Sequence, residues 1–150
     1  MNFPIFIDAN IPIYAAGRPH PYREPCGAVL RLVVDSPNSF VTDAEVVQEL
    51  LRRYLSLDRF ELGRRVILDF TLALRGQIEP LYVADVELAA SLAGRHLGLS
   101  ARDLAHLAVM QRLGVDRIVS ADRGFDNISG IDRLDPRDIE AWQRSILPGS

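Results

Sequence analysis

Short apolar stretches alternate with longer helical segments along this chain, and that alternation limits the possible folds more than any other feature. The predicted strands cover residues 4–7, 40–41, 78–83, 117–120 and, more weakly, 131–134. Helical spacing predicts helices over about 11–16, 24–34, 43–56, 58–75, 85–97 and 100–114, and from 136 onwards. Such alternation is typical of a parallel sheet covered on both faces. We therefore predict an α/β fold, a three-layer α/β/α sandwich around a central, mainly parallel, twisted sheet.

Capping signals support three of these helices. The segment Thr42-Asp43-Ala44-Glu45 has the form of a capping box, in which Thr42 would begin the helix. Asp85 is a predicted cap, and Ser100-Ala101-Arg102-Asp103 has a second capping-box form before a helix that ends at Gly114.

The amino-acid composition excludes several classes of catalytic site. All 17 basic residues are arginines, so the chain has no lysine for a P-loop, a Schiff base or a β-lactamase-type site. The net charge of −3 argues against broad electrostatic capture of nucleic acid and leaves only local arginine patches for that purpose. Carboxylate, histidine and arginine chemistry remain.

The length of 150 residues fits one domain over residues 1–150. The single cysteine, Cys26, cannot form an internal disulfide, which favours a reducing compartment. The first residues carry no positive charge before their apolar stretch, and no apolar run is long enough for a membrane span. We therefore expect a cytoplasmic protein with no membrane partner.

Two of the predicted strands lead into aspartates. Asp8 directly follows the first strand, and Asp122 comes two residues after the fourth. Open α/β sheets form their sites at the carboxyl ends of strands, so both side chains are expected at the same edge. One such aspartate is commonly a turn former or a helix cap, but two at one edge favour a site.

Two more carboxylates lie in helices that begin at that edge. Glu49 is flanked by apolar residues, so it needs either a bound cation or an ion pair with Arg52 or Arg53. Asp103 lies in the first turn of its helix, where it can bind a metal or simply interact with the helix dipole.

The fold is expected to bring four carboxylates to one rim: Asp8, Glu49, Asp103 and Asp122. Carboxylates packed together repel one another, and a divalent cation relieves that repulsion. A set of oxygen ligands selects Mg²⁺ or Mn²⁺. Such ions activate water and stabilise the charge that develops on a phosphoryl group, so phosphodiester hydrolysis is the predicted reaction.

Two residues near these acids have more than one interpretation. Asp126 lies four residues after Asp122 and is either part of the rim or a surface residue. His106 lies three residues after Asp103 and is either a general acid–base group or a packed histidine.

Four motifs, in this order and spacing, resemble the PIN-domain family, and more narrowly the VapC-type toxin ribonucleases of bacterial toxin–antitoxin pairs. The motifs are Phe6-Ile7-Asp8-Ala9-Asn10, the segment 40–49, Ser100-Ala101-Arg102-Asp103-Leu104-Ala105-His106 and the segment 118–126. The resemblance covers nearly the whole chain and implies a single PIN-like nuclease domain.

The resemblance also implies a set of roles. The residues that match the family's metal-binding acids are Asp8, Glu49, Asp103 and Asp122, with Asp126 as a fifth member. Polar residues beside the acids, where hydrogen bonds would orient the ligands, are Asn10, Thr42 and Ser120. The implied activity is a Mg²⁺- or Mn²⁺-dependent endoribonuclease that forms a homodimer and is inhibited by a cognate antitoxin protein.

Three alternatives stay open. A PIN nuclease with a role in RNA processing or DNA cleavage would carry the same acids. A non-catalytic RNA- or protein-binding module could use the same fold. A small-phosphoester hydrolase of the receiver or haloacid-dehalogenase type is disfavoured, because those sites need a lysine and, in the second case, a second aspartate where this chain has Asn10.

Overall fold

Five parallel strands form one central sheet in the computed structural model of the protein, which describes residues 4–146. The strands are β1 (Ile5–Ile7), β2 (Phe40–Asp43), β3 (Ile78–Glu79), β4 (Arg117–Val119) and β5 (Asp132–Leu134). Their order across the sheet is β3-β2-β1-β4-β5. β1 lies at the centre, and its three residues are fully buried. This burial explains why the strand is an uninterrupted apolar run.

Within residues 4–146, seven α-helices connect and cover the strands. They are α1 (Asn10–Ala15), α2 (Arg23–Asp35), α3 (Ala44–Ser56), α4 (Phe60–Ala73), α5 (Val83–Ala93), α6 (Ala101–Leu113) and α7 (Ile139–Trp142). In the described part of the chain, no helix has the length and apolarity needed to cross a membrane. The predicted α/β fold with a parallel sheet between helices is confirmed.

The strand order reverses at the centre of the sheet. From β1 the chain moves outward through β2 to β3, and α5 and α6 then return it to β4 on the other side of β1. Crossovers between parallel strands are right-handed. The connections that lead from β1 out to β3 and the connection that leads back to β4 run in opposite directions, so they lie on opposite faces of the sheet. The carboxyl ends of β1 and β4 therefore form the switch point at which α/β sheets bind ligands.

Helix α6 is buried on every side over its central two turns. All residues from 104 to 110 are buried, including the polar His106. Ser100 caps the helix by accepting a hydrogen bond from the Asp103 N–H at 3.1 Å, as the capping signal predicts. Gly114 ends the helix in the left-handed conformation, with φ of 71°, which a residue without a Cβ adopts readily.

Some predicted boundaries are wrong. The third strand has two residues instead of six and is followed by Pro80, which has no N–H to donate to a strand ladder. Asp85 lies inside α5, where its carboxylate accepts a hydrogen bond from the Tyr82 N–H at 2.9 Å, and the helix ends at Ala93 instead of residue 97. The last helix is also shorter than predicted, since residues 136–138 form a 3₁₀ turn before α7.

The cap of α3 differs from the predicted one. Asp43, and not Thr42, accepts the hydrogen bond from the Val46 N–H, at 2.8 Å. Thr42 is the third residue of β2, and its extended backbone belongs to the sheet. Asp43 is thus the last residue of β2 and the cap of α3 at once, so a buried aspartate lies at the end of β2 as Asp8 lies at the end of β1.

Candidate metal centre

Asp8 is held at the end of β1 by three hydrogen bonds. Its Oδ1 accepts from the Ala9 N–H at 2.8 Å, and its Oδ2 accepts from the Ser120 hydroxyl at 2.7 Å and from the Asn10 amide at 3.2 Å. The residue is only 6% exposed. Burial raises the pKa of the carboxyl to about 6, although the nearby His106 and the Ser120 hydroxyl lower it in part. A positive charge at this position would favour the ionised form.

Asn10 and Ser120 connect the ends of β1 and β4. The Asn10 amide donates to the Ser120 hydroxyl oxygen at 3.0 Å, and its carbonyl accepts from the Ala121 N–H at 3.2 Å. The Ser120 oxygen also accepts from the Asp122 N–H at 3.0 Å. These bonds fix the Asp8 carboxylate and the backbone that carries Asp122.

Thr42 makes a different contact from the other two polar residues. Its hydroxyl donates to the Ile7 carbonyl oxygen at 2.9 Å, and the side chain is fully buried. It therefore holds the backbone just before Asp8 and connects β2 to β1, without contacting that carboxylate.

Glu49 lies one turn and a half into α3, with a side chain that is 20% exposed. Its partner is Arg102, whose Nη1 lies 3.0 Å from Oε1. The predicted ion pair with Arg52 or Arg53 on the same helix is not the one formed. Burial raises the pKa of Glu49, but the adjacent His106 and Arg102 outweigh burial and lower it overall.

A buried pair of Asp43 and His106 lies directly behind Glu49. The His106 Nδ1 is 2.8 Å from Asp43 Oδ2, and both side chains are fully buried. The other ring nitrogen, Nε2, lies 3.9 Å from Glu49 Oε2, which is too far for a hydrogen bond. Burial lowers the pKa of His106, but its acidic neighbours outweigh burial and raise it to about 10.

Asp103 and Asp122 lie at the rim of this group. Burial raises the pKa of Asp103, and the charges of Asp122 and Glu49 add to that rise, whereas Ser100 and His106 oppose it. The group of ligand atoms that lie within 4.8 Å of one another in the described part of the chain contains Asp8, Glu49 and His106, and neither Asp103 nor Asp122 belongs to it. Asp122 is exposed, and its Oδ1 accepts from the Gly124 N–H at 2.9 Å.

Asp126 pairs with an arginine and is not part of the group formed by Asp8, Glu49 and His106. Arg133 holds it through two hydrogen bonds of 2.9 and 3.2 Å, and the Asp126 side chain is 49% exposed. The same guanidinium donates to the Ser120 carbonyl oxygen at 2.9 Å. In this arrangement Asp126 supports the end of β4 through Arg133.

Asp43 is the residue that the sequence analysis missed. The usable signal was its position, because it directly follows the second predicted strand just as Asp8 follows the first. The capping-box pattern at Thr42 concealed that signal, since it assigned the same segment to the start of a helix.

The donor atoms fit a divalent cation. One ligand atom from each of Asp8, Glu49 and His106 lies within 4.8 Å of the other two, at the switch point of the sheet. Among residues 4–146, His106 Nε2 is also the buried side-chain polar atom that has no hydrogen-bond partner. Buried polar groups are nearly always paired, so an unpartnered nitrogen beside two carboxylates suits a bound ion.

The fold and site together define an α/β protein with an acidic centre that could hold a metal ion at the switch point of its sheet. The chain belongs to the PIN domain family, whose family model matches residues 5–131.

Its relatives include named ribonucleases. Ribonuclease VapC13 of Mycobacterium tuberculosis is 38% identical over 130 residues, which are 87% of this chain and 98% of that protein. Ribonuclease VapC23 of the same species is 44% identical over 121 residues, which are 79% of this chain and 92% of that protein. A toxin–antitoxin complex from Klebsiella pneumoniae shares the fold, with a TM-score of 0.61 at 18% identity over 88% of this chain and 97% of that one.

Proposed function

We propose that this protein is a metal-dependent endoribonuclease, the toxin of a VapBC-type toxin–antitoxin pair, which hydrolyses RNA phosphodiester bonds. The observation that carries the proposal is the group of donor atoms from Asp8, Glu49 and His106 at the switch point. It occurs in a chain whose relatives over most of its length are VapC ribonucleases.

The proposed ligands of Mg²⁺ or Mn²⁺ are the four carboxylates of the rim: Asp8, Glu49, Asp103 and Asp122. A bound ion of this kind activates water and stabilises the charge of a phosphoryl transition state. Asn10 and Ser120 hold Asp8 in a single orientation. Thr42 fixes the strand that carries Asp8. Asp126 is the proposed fifth member, and it would have to leave Arg133 to reach the ion.

The RNA substrate needs a basic surface that the net charge of −3 does not supply by itself. A groove of about 790 Å³ between the ends of α1 and α3 is lined by Arg18, Arg53 and Arg59 together with Tyr14 and His20. Arginines that track phosphates beside aromatic rings are typical of single-stranded RNA binding. We assign this groove to the RNA strand.

The proposed protein partners are a cognate antitoxin and a second copy of the chain in a homodimer. An acidic rim attracts arginine, whose two-pronged guanidinium pairs with carboxylates. An antitoxin arginine could therefore occupy the place of the ion. We also propose a cytoplasmic location, in keeping with a single buried cysteine, Cys26.

RNA cleavage by the purified protein tests the proposal. Cleavage in Mg²⁺ or Mn²⁺ should stop with EDTA and with Asp8→Asn, which removes a ligand charge but keeps the side-chain shape. The matched control is Asp69→Asn, the same change at an exposed position of α4. Full cleavage by Asp8→Asn would contradict the assignment. Growth arrest on induction that is relieved by co-expression of an antitoxin would separate a toxin from a processing nuclease.

A further inference from the structure

We propose that His106 is a nitrogen ligand of the metal centre, with Nε2 bound to the same cation as Asp8 and Glu49, and with Asp43 as the carboxylate that orients the ring. This inference rests on the proposed function, because it requires that the rim binds a divalent cation. It goes beyond that function by adding an imidazole to a site whose other ligands are oxygens, and by predicting which cation the site prefers.

The position of Nε2 is the first observation. The His106 side chain is fully buried, and its Nε2 has no hydrogen-bond partner within the described part of the chain. The same atom lies 3.9 Å from Glu49 Oε2, and a nitrogen of the His106 ring lies within 4.8 Å of a carboxylate oxygen of Asp8 and of one of Glu49. An ion among these three atoms would satisfy the nitrogen and neutralise the two carboxylates together.

The opposite edge of the ring is the second observation. Nδ1 lies 2.8 Å from Asp43 Oδ2, so its proton is held by a carboxylate and the lone pair of a neutral ring is on Nε2. Histidines that bind metals almost always donate their other N–H to a carboxylate or carbonyl in this way. That pairing fixes both the tautomer and the direction of the ring.

Asp43 is itself rigidly placed. Its second oxygen, Oδ1, accepts the capping hydrogen bond from the Val46 N–H, and its backbone pairs with Glu79 in the sheet. The Phe6 ring packs against His106 with 5.3 Å between the ring centres, which limits rotation of the imidazole. The ligand atom is thus held in place from three elements of the fold: β1, β2 and α6.

A cation at Nε2 would bind the neutral ring, because a protonated nitrogen has no lone pair to donate. The Nδ1 proton would stay on the Asp43 side. An imidazole ligand would also change which metal ion the site prefers. Oxygen ligands suit Mg²⁺, whereas imidazole favours transition metals, so the site should prefer Mn²⁺ over Mg²⁺.

The experiment is pulsed electron paramagnetic resonance of Mn²⁺ bound to the full chain, with protein in excess over metal. Echo-envelope modulation detects a nitrogen nucleus bonded to Mn²⁺, and growth on ¹⁵N-labelled histidine changes the modulation if that nitrogen belongs to a histidine. This comparison needs no mutation, so it remains valid even if substitution of the buried His106 prevents folding.

Two variants complete the test. His106→Gln should lose the modulation, and its affinity for Mn²⁺ relative to Mg²⁺, measured by competition, should fall by about tenfold or more. His96→Gln is the matched control, because His96 lies in the loop before α6, and it should keep both properties.

The possible outcomes distinguish failure of His106 as a ligand from failure of the proposed metal-dependent function. Mn²⁺ that binds the wild-type protein without nitrogen modulation would overturn His106 as a ligand and leave the proposed function standing. Equal losses of Mn²⁺ and Mg²⁺ affinity in His106→Gln, without modulation in the wild type, would reduce His106 to a packing role. A wild-type protein that binds no Mn²⁺ at millimolar concentration would overturn both.

Discussion

Two helical glycines offer a matched pair of substitutions with opposite expected signs. Gly27 lies in α2 and Gly63 in α4, and both have ordinary helical backbone angles. In a helix, alanine is favoured over glycine by about 0.5–1 kcal/mol, because glycine loses more conformational freedom on folding. If local propensity alone acted, both substitutions to alanine would stabilise the protein equally.

The surroundings of the two positions differ. A Cβ at Gly63 would lie 2.4 Å from the Cβ and 2.8 Å from the Cγ of Tyr54 on α3, and the Tyr54 Cβ cannot move without shifting that helix. A Cβ at Gly27 would meet only the tip of the flexible Arg31 side chain, at 3.5 Å. Overpacking costs roughly 1–3 kcal/mol, which exceeds the gain in propensity. Gly63→Ala should therefore destabilise the protein by roughly 1–2 kcal/mol, and Gly27→Ala should stabilise it by about 0.5–1 kcal/mol.

Urea unfolding followed by circular dichroism measures both changes, at one protein concentration so that self-association does not alter the comparison. In thermal melts, each kcal/mol corresponds to about 2–4 °C at this chain length. If Gly63→Ala proves as stable as the wild type, the close approach of α3 and α4 is not the reason for a glycine at that position. The result matters for the site, because α3 carries Glu49.

Three further predictions concern charge. Burial raises the pKa of Asp135, but hydrogen bonds from Arg137 and the charges of Arg137 and Arg133 outweigh burial and lower this pKa from 3.8 to about 2. The ionised Asp135 side chain therefore stabilises the folded state above pH 3.8, and this stabilisation is lost as the pH falls towards 2. Asp135→Asn should then cost about 1–2 kcal/mol at pH 7, after allowance for the exposed Arg137, and the difference from wild type in urea unfolding should shrink towards pH 2. Asp8→Asn without metal should be at least as stable as wild type at pH 7, because it removes a buried charge. It should also lose the Mn²⁺-dependent rise in melting temperature, which for wild type reflects about 2.7 kcal/mol at a hundred times the dissociation constant. The double variant Arg53→Ala/Arg59→Ala should raise KM for RNA with kcat unchanged and reduce the salt slope of binding by about 1.4, and an unchanged slope would show that RNA lies elsewhere.

The order of strands and helices was readable from the sequence, because it depends on local hydrogen-bonding geometry and on the period of the apolar residues. The run before Asp8 predicted β1, and Ser100 and Gly114 marked both ends of α6. The boundaries at residues 80 and 85 were missed, because strand length depends on pairing with β2, and a cap depends on backbone angles that the residue type does not fix.

The sequence by itself determined the α/β class and the placement of Asp8 and Asp122 after two strands at one edge of the sheet, since a parallel sheet brings the carboxyl ends of its strands to one edge. Only the tertiary structure decided which side chains meet at that edge. Glu49 pairs with Arg102 from another helix, and the Asp43–His106 pair joins residues 63 positions apart. Such partners depend on how the crossover helices pack across the sheet, and local spacing contains no information about that packing.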